Sequence, residues 1–484
     1  MHPGTRCNQR QNHLFDGIMP VVSIRALART SALPFQPPNR IMTLAPQTNL
    51  RRTFGVAFGV AVAIGSMIGA GILRTPADVA ARLPMPSLFL GAWVIGGLYA
   101  LLGANALAEL GTMLPRSGGQ YVFVRHALGP YAGFLVGWND WISTCGSVAA
   151  IALVLAEALG AVVPALAYQT IIIAAVAVAI VTGILWRGVR ESDRAQQATS
   201  LLKSVALLAL VAACLLARAT GGVAPATDAN ASRVVVPVGL ALAAAFITAL
   251  QGIIYAYDGW TGVLYFSEEV RDAGREIPRS LFLGVGAVIV LYLLLNVAFL
   301  AVLPLRVLAS SPLAAASAAT AVFGPRGGIL VQILVVMALP SAIIANLLMS
   351  SRVAFALGRD RAAPHFLAQV NAGGTPGTAL IASSAVVALF LLGGAFEKVI
   401  AVCAFLFVAS YTLSFVSVFV LRWREPSAPR PFRAWGHPWT TGLVLVGSIT
   451  FMGGVVAADA RTGFVALVLV AVSYPVFRMV KNSS

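Results

Sequence analysis

The chain runs to 484 residues and carries a formal net charge of +16. Hydrophobic residues make up 59% and charged residues 10%, with a mean hydropathy of +0.87, whereas a soluble globular chain is about a quarter charged. This balance excludes an ordinary water-soluble domain. The basic residues sit in short loops between apolar blocks, which points away from nucleic acid and towards anionic membrane lipid.

Residues 1–50 are polar, contain Pro and Arg, show no periodicity, and read as a disordered tail. Met42 opens a stretch leading directly into the first apolar block, so a start there, with 1–41 an over-extended reading frame, is one expectation. A short apolar core followed by a small-residue cleavage site is missing, so no cleaved signal peptide is expected. Apolar blocks near the ~20 residues that cross hydrocarbon then recur about twelve times. Their spans are 54–74, 88–113, 131–159, 166–185, 195–217, 240–265, 281–304, 328–357, 378–395, 398–422, 440–457 and 462–480. Lipid offers no hydrogen bonds to backbone, so each block reads as a helix and the fold class as all-α integral membrane. The blocks at 131–159 and 328–357 exceed a minimum span and predict tilt or extension beyond the bilayer.

Orientation follows from Lys and Arg. With the N-terminus inside, the even-numbered loops, the 51–52 flank and the C-terminal tail carry 19 of them, among them Arg116, Arg187, Arg279, Arg359 and Arg430, against 8 in the odd-numbered loops. Both termini are therefore expected in the cytoplasm, at a bacterial inner membrane. Cys145, Cys214 and Cys403 lie inside apolar blocks, and Cys and His form no metal pattern. An embedded enzyme would need a nucleophile–base pair or metal ligands at membrane depth. His126, His365 and His437 all fall in loops, so no catalytic residue, metal or cofactor is expected.

The first block contains Gly65-Ser66-Met67-Ile68-Gly69-Ala70-Gly71-Ile72. Each glycine weakens a helix by ~1 kcal/mol relative to Ala, and taken alone the string fits either close packing or a break. The sixth block contains Tyr255-Ala256-Tyr257-Asp258-Gly259-Trp260-Thr261-Gly262, which sets an acid, glycines and aromatics in mid-span. An intramembrane acid is costly unless it faces a cavity or partner. With five helices per repeat, blocks 1 and 6 occupy corresponding positions in halves of opposite topology, and such a pair of interrupted helices points to a midplane site. A break frees N–H groups with partial positive charge at the start of the outer half and carbonyls at the other end. Ala70, Gly71 and Ile72 would receive a carboxylate. Tyr255 and Ala256, with Asp258 nearby, would receive an ammonium, so the substrate is an amino acid or similar amine. Ser66, Met67, Gly69 and Trp260 complete the candidate substrate-binding set.

These strings resemble the amino acid–polyamine–organocation (APC) superfamily, and more narrowly the bacterial relatives of L-type amino acid transporters. Similar to the same family are Ala108-Glu109-Leu110-Gly111-Thr112-Met113-Leu114-Pro115-Arg116-Ser117-Gly118-Gly119-Gln120-Tyr121 after block 2, and Ser267-Glu268-Glu269-Val270 with Ile277-Pro278-Arg279-Ser280 after block 6. Ser351-Arg352 with Gly358-Arg359-Asp360 and Pro364, at the end of block 8, also matches its pattern. The resemblance covers roughly residues 50–480. It implies a five-plus-five inverted-repeat core over 51–425 with discontinuous helices 1 and 6, helices 11 and 12 plus the C-terminal tail over 426–484, alternating access, and Na⁺-independent exchange of neutral amino acids. It further implies that Lys203 in block 5 stands in for a structural sodium ion; a snorkelling lysine is the plainer reading. Glu109 and Glu268 pair with loop arginines such as Arg116, Arg271 or Arg352, either as an inner gate or as structural pairs. Glu157, near the outer end of block 3, reads as solvated, and Asp140 reads as facing the core. L-type relatives that join a glycoprotein use a cysteine between helices 3 and 4, absent here around 160–168, so no disulfide-linked heavy chain is expected. The pattern's Phe after Gly71-Ile72 is Leu73 here, and Tyr255 replaces a common Phe. Two rivals remain: a carrier of cationic amino acids or polyamines, favoured by Asp258, and a membrane amino-acid receptor or channel.

Overall fold

The structure, a computed structural model, describes residues 54–116, 118–187, 192–222, 237–371, 375–393 and 396–482, with backbone alone for 192–200. The 1–50 tail, the Met42 start, Arg190 and Arg233 lie outside the described residues. In chain order the helices are α1 Val56–Met67, α2 Ala70–Arg82, α3 Pro86–Met113, α4 Gln120–Leu128, α5 Pro130–Val162, α6 Thr170–Trp186, α7 Ser192–Ala219 and α8 Gly239–Tyr257. They continue as α9 Ala273–Val302, α10 Leu305–Ala309, α11 Ala314–Phe323, α12 Pro325–Arg359, α13 Gly377–Leu392, α14 Phe396–Arg424, α15 Trp439–Ala458 and α16 Ala460–Asn482. The protein is an all-α, multi-pass membrane protein. Among the described residues nine helices are long and apolar enough to span a bilayer, and the bent pair α1 and α2 makes a tenth.

Every expected block carries helix, with differences that have local causes. The first block continues past residue 74 as α2, so Arg74 and Arg82 lie within a helix and not in a loop. α6 has 17 residues and α13 has 16, short for a span. The long blocks 3 and 8 become α5 with 33 residues and α12 with 35. The connections after α3 and α9, read from the sequence as loops, contain α4 and the short α10 and α11. These segments are too short or too polar to register as spans.

Large apolar side chains cover the outside: Leu240 is 87% exposed, Leu392 75% and Met337 74%, a surface that only lipid satisfies. α5 and α14 are enclosed along most of their length, while α16 is peripheral. α3 packs on α9, α5 on α12 and α6 on α13, while α2 packs on α8. The two interrupted segments are stitched together at the start of the first and the end of the second by a β-bridge: Phe54 N–H donates to the Glu269 carbonyl and Arg271 N–H to the Phe54 carbonyl, each at 3.0 Å.

Candidate substrate site

Both glycine-rich strings break their helices. α1 stops at Met67, where Ile68 takes φ −76°, ψ 87°, and α2 starts at Ala70 after a bend of 45°. α8 stops at Tyr257; Asp258 is extended and Gly259 takes φ 104° in the left-handed region, leading into a 3-10 segment over Trp260–Glu269. That conformation is cheap only for glycine. The two breaks touch. A Cβ on Gly259 would lie 2.7 Å from Ser66 Cβ, and one on Gly71 would lie 2.6 Å from Ala256 Cα. A tyrosine of α9 fastens both: Tyr292 Oη lies 2.6 Å from the Met67 carbonyl and 3.1 Å from the Ala256 carbonyl.

A cavity opens between the breaks and the enclosed helices α5 and α14. Its interatomic space totals about 600 Å³, connected solvent space included. Of the sequence-derived substrate set, Ser66, Met67, Gly69, Ala70, Gly71, Tyr255 and Asp258 line it. Ile72, Ala256 and Trp260 are buried behind the wall. Trp260 stacks at 5.0 Å against Tyr411, which does line it. No side chain caps the start of α2, so the first-turn N–H groups, which have no helical partner, begin at the cavity wall. At the end of α8 the Tyr255 carbonyl accepts the Asp258 N–H at 3.2 Å, and the Ala256 carbonyl faces Tyr292. Ala256 therefore serves as a packing and anchoring point, with Asp258 the acidic group on the wall. Two buried hydroxyls on the wall, Ser66 Oγ and Ser410 Oγ, have no hydrogen-bond partner among the described residues. Orphan donors beside a cavity mark a place where a polar ligand would complete them.

The sequence left three participants unassigned. Asp140 of α5 lines the cavity and accepts Tyr265 Oη at 2.7 Å and 2.6 Å through its two carboxylate oxygens. Tyr411 of α14 donates to Asp258. Each acid–tyrosine pair thus bridges a broken segment to an enclosed helix. Among the described residues the lining contains two carboxylates and no Lys, Arg or His. Asp140 reads from the sequence as facing the core and Tyr411 as one of several aromatics able to wall a pocket; Tyr265 carries no such signal, because helix rotation is invisible to sequence.

The coupling candidates separate in space. Lys203 is buried in a different, mostly apolar recess beside Ile68 and Gly69, and among the described residues no carboxylate lines that recess. Glu109, 1% exposed, accepts Arg422 Nε at 2.9 Å and Nη2 at 2.6 Å, and the Ala434 N–H at 2.8 Å; Arg430 Nε lies 3.2 Å away. Its partners are thus Arg422 and Arg430, in place of the expected Arg116, Arg271 or Arg352, because the α14 terminus folds over the end of α3. Arg352 lies over the Phe266 ring at 5.2 Å. Glu268 is half-buried on the 3-10 segment. Glu157 is exposed, as expected, and also pairs with Arg74. Two of the quoted motifs meet: Tyr121 Oη and Arg125 Nη1 donate to Asp360 at 3.0 Å and 2.5 Å.

An amino acid permease family model matches residues 55–475. The chain belongs to that family. It is similar to the serine/threonine exchanger SteT of Bacillus subtilis (strain 168), 24% identical over 90% of this chain and 98% of the relative. It is also similar to mouse b(0,+)-type amino acid transporter 1, 27% identical over 80% of this chain and 79% of the relative. Mouse Asc-type amino acid transporter 1 is 28% identical over 79% and 73%. The protein is accordingly an APC-superfamily permease related to bacterial and mammalian L-type transporters. This amino acid permease carries out secondary transport of amino acids across a membrane by alternating access, and is not an enzyme.

Proposed function

We propose that this permease exchanges amino acids without sodium across a bacterial inner membrane, holding the zwitterionic head group between its two helix breaks. The observation that carries the proposal is the contact of Gly259 with Ser66 and of Gly71 with Ala256 beside a cavity that exposes the uncapped start of α2 and the Asp258 carboxylate. The carboxylate binds the N–H groups of Ala70, Gly71 and Ile72, and the ammonium binds at Asp258 and the α8 end. Ser66, Met67, Gly69 and Tyr255 contact the substrate; Trp260 steadies Tyr411. Residues 51–425 form a five-plus-five core, and 426–484 add the last two helices and the tail, which makes twelve spans in all. The contacts of α3 with α9, α5 with α12 and α6 with α13 support this, because they pair the second, third and fourth helices of each half. Lys203 beside the first break holds it in place of a sodium ion. Glu109, Glu268 and Arg352 belong to the inner gate. Both termini are cytoplasmic, and no disulfide-linked subunit is required.

Neutral amino acids are the first substrate class. The relatives named as a serine/threonine exchanger and as a large neutral amino acids transporter support it. A second class, cationic amino acids, is favoured by one observation: Asp140 and Asp258 line one cavity that no basic side chain enters. Buried carboxylates call for a compensating charge, and a second substrate cation would supply it. A thermal-shift screen of the amino acids selects ligands, since binding to the folded form raises its melting temperature. Counterflow in proteoliposomes then separates a carrier from a receptor or channel. Accumulation of labelled alanine, serine or leucine, uncompeted by arginine or putrescine, supports the neutral class, and the reverse supports the cationic one. Binding without counterflow overturns exchange.

A further inference from the structure

α2 is the half-helix that begins at the substrate cavity, and Arg74 lies on its first turns, three residues beyond the cavity-lining Gly71. Its guanidinium reaches two helices at once. Nη1 contacts Glu157 of α5, and Nη2 donates to Glu397 Oε1 of α14 at 2.7 Å. Asp78, one turn further along α2, adds a third acid to this end. The pairs are partly shielded: the Arg74 side chain is 20% exposed, Glu397 36% and Glu157 41%.

What lies beneath gives the cluster a role. The guanidinium sits over the Phe396 ring at 4.9 Å, and Phe396 meets the Tyr255 ring edge-on at 6.0 Å. Tyr255 lines the cavity. A column of Tyr255, Phe396 and Arg74 therefore roofs the cavity at the α2 end. It also joins the two sides of the cavity. α2 and α8 carry the breaks, while α5 and α14 supply Asp140 and Tyr411 to the facing wall. A substrate entering from this end needs α2 to part from α5 and α14, and that motion separates Arg74 from both glutamates and from the Phe396 face.

We infer that Arg74, with Glu157 and Glu397, is the outer gate of the transport cycle, closed in this structure and opened whenever the cavity faces the outer side. The pairs are exposed enough to break and re-form at modest cost, as a gate requires, since partly solvated ion pairs are individually weak. One guanidinium engages both carboxylates through separate nitrogens while lying over the ring, which a single ammonium does not reproduce, so lysine is a poor substitute.

The test is accessibility. In a background lacking native cysteines, Ser147→Cys places a thiol on the cavity wall. A membrane-impermeant thiol reagent added outside intact cells reports outward opening. Arg74→Met is expected to raise the labelling rate about tenfold, the size of a population shift worth one decade. Glu157→Gln with Glu397→Gln should do the same while keeping the arginine, which covers the case in which the Met variant folds poorly. Arg74→Lys should fall between wild type and Met. The exchanged pair Arg74→Glu with Glu397→Arg should recover part of the wild-type protection, which a merely structural role for Arg74 does not predict. Wild-type labelling in both the Met variant and the double glutamine variant overturns the gate. So does an increase seen only with reagent supplied from the cytoplasmic side.

Discussion

At the scale of single residues, the site depends on two glycines whose missing side chains let the breaks meet. A methyl group at Gly71 would lie 2.6 Å from Ala256 Cα, and one at Gly259 would lie 2.7 Å from Ser66 Cβ and would also have to sit at φ 104°. Both obstacles are backbone or the root of a side chain, so neither can swing aside. Gly71→Ala and Gly259→Ala should each lower exchange at least tenfold, a loss of about 1.4 kcal/mol or more in transition-state stabilisation. Gly91→Ala on α3, where a Cβ meets nothing within 4 Å, should leave it unchanged. Initial rates of labelled amino acid exchange by the three reconstituted variants check this, and a fully active Gly259→Ala would mean that the breaks are not in register during transport. Tyr292 makes the complementary point. Removing its hydroxyl leaves the Met67 and Ala256 carbonyls buried without that partner, at a cost of about 1–3 kcal/mol. Tyr292→Phe should therefore lower both the melting temperature and the exchange rate, and a variant that loses neither would show that the two carbonyls are held by something else. The glycines were legible in the sequence because their chemistry is local. Tyr292 was not: it stands 225 residues from Met67, among many aromatics that mostly pack, and only the rotation of α9 singles it out.

At the scale of elements, the ion pairs decide which helices travel together. Glu109 closes the end of α3 onto the end of α14 and the segment after it, with Arg422 and Arg430 as its partners. Arg430 is itself wrapped on carbonyls, donating Nη2 to Leu421 and Nη1 to Glu425 and Ala428. This carboxylate is almost wholly enclosed, so its loss strands positive charge in a dry place. Glu109→Gln should cost about 3–5 kcal/mol, the range for breaking one partner out of a buried pair, and far more than the same change at the half-exposed Glu157. Thermal unfolding of the two variants in one lipid composition compares them directly. Equal losses would show that burial is not what gives the Glu109 cluster its strength. Sequence placed Glu109 near the arginines of the loops on one side, Arg116, Arg271 and Arg352 among them, but it does not show which loop folds over the end of α3, and the partner Arg422 lies 313 residues away. The same limit hid the partner of Asp140, Tyr265, and the reach of Arg74 to Glu157 and Glu397. Hydropathy locates a helix, but it does not fix the angle about its own axis or the neighbour that each face meets.

At the scale of the whole molecule, the question is how many times the chain crosses. The apolar blocks were legible because a span is a matter of composition and length, and each expected block does hold helix. The count turns on α6 and α13. At 1.5 Å per residue, 17 and 16 residues reach only about 26 Å and 24 Å, less than the ~30 Å hydrocarbon core. A short helix can still cross if the bilayer thins around it or flanking groups reach outward. Trp186 and Arg187 at the end of α6 are suited to that position. With both helices crossing, the spans number twelve, an even count, and the two termini share a side. On the proposed orientation, for which the excess of Lys and Arg on the even-numbered loops is the argument, that side is the cytoplasm. If exactly one of the two fails to cross, every later loop changes sides and the C-terminus is exported. A fluorescent protein fused after Ser484 should therefore be bright, and alkaline phosphatase at the same position inactive, because the first folds in the cytoplasm and the second needs an oxidising compartment for its disulfides. Fusions in the loop after α6 and in the loop after α13 then assign each short helix separately. An active phosphatase at the C-terminus would remove the twelve-span count, and if the fusions then single out α6, which lies between the two breaks, the opposite orientation of the breaks goes with it.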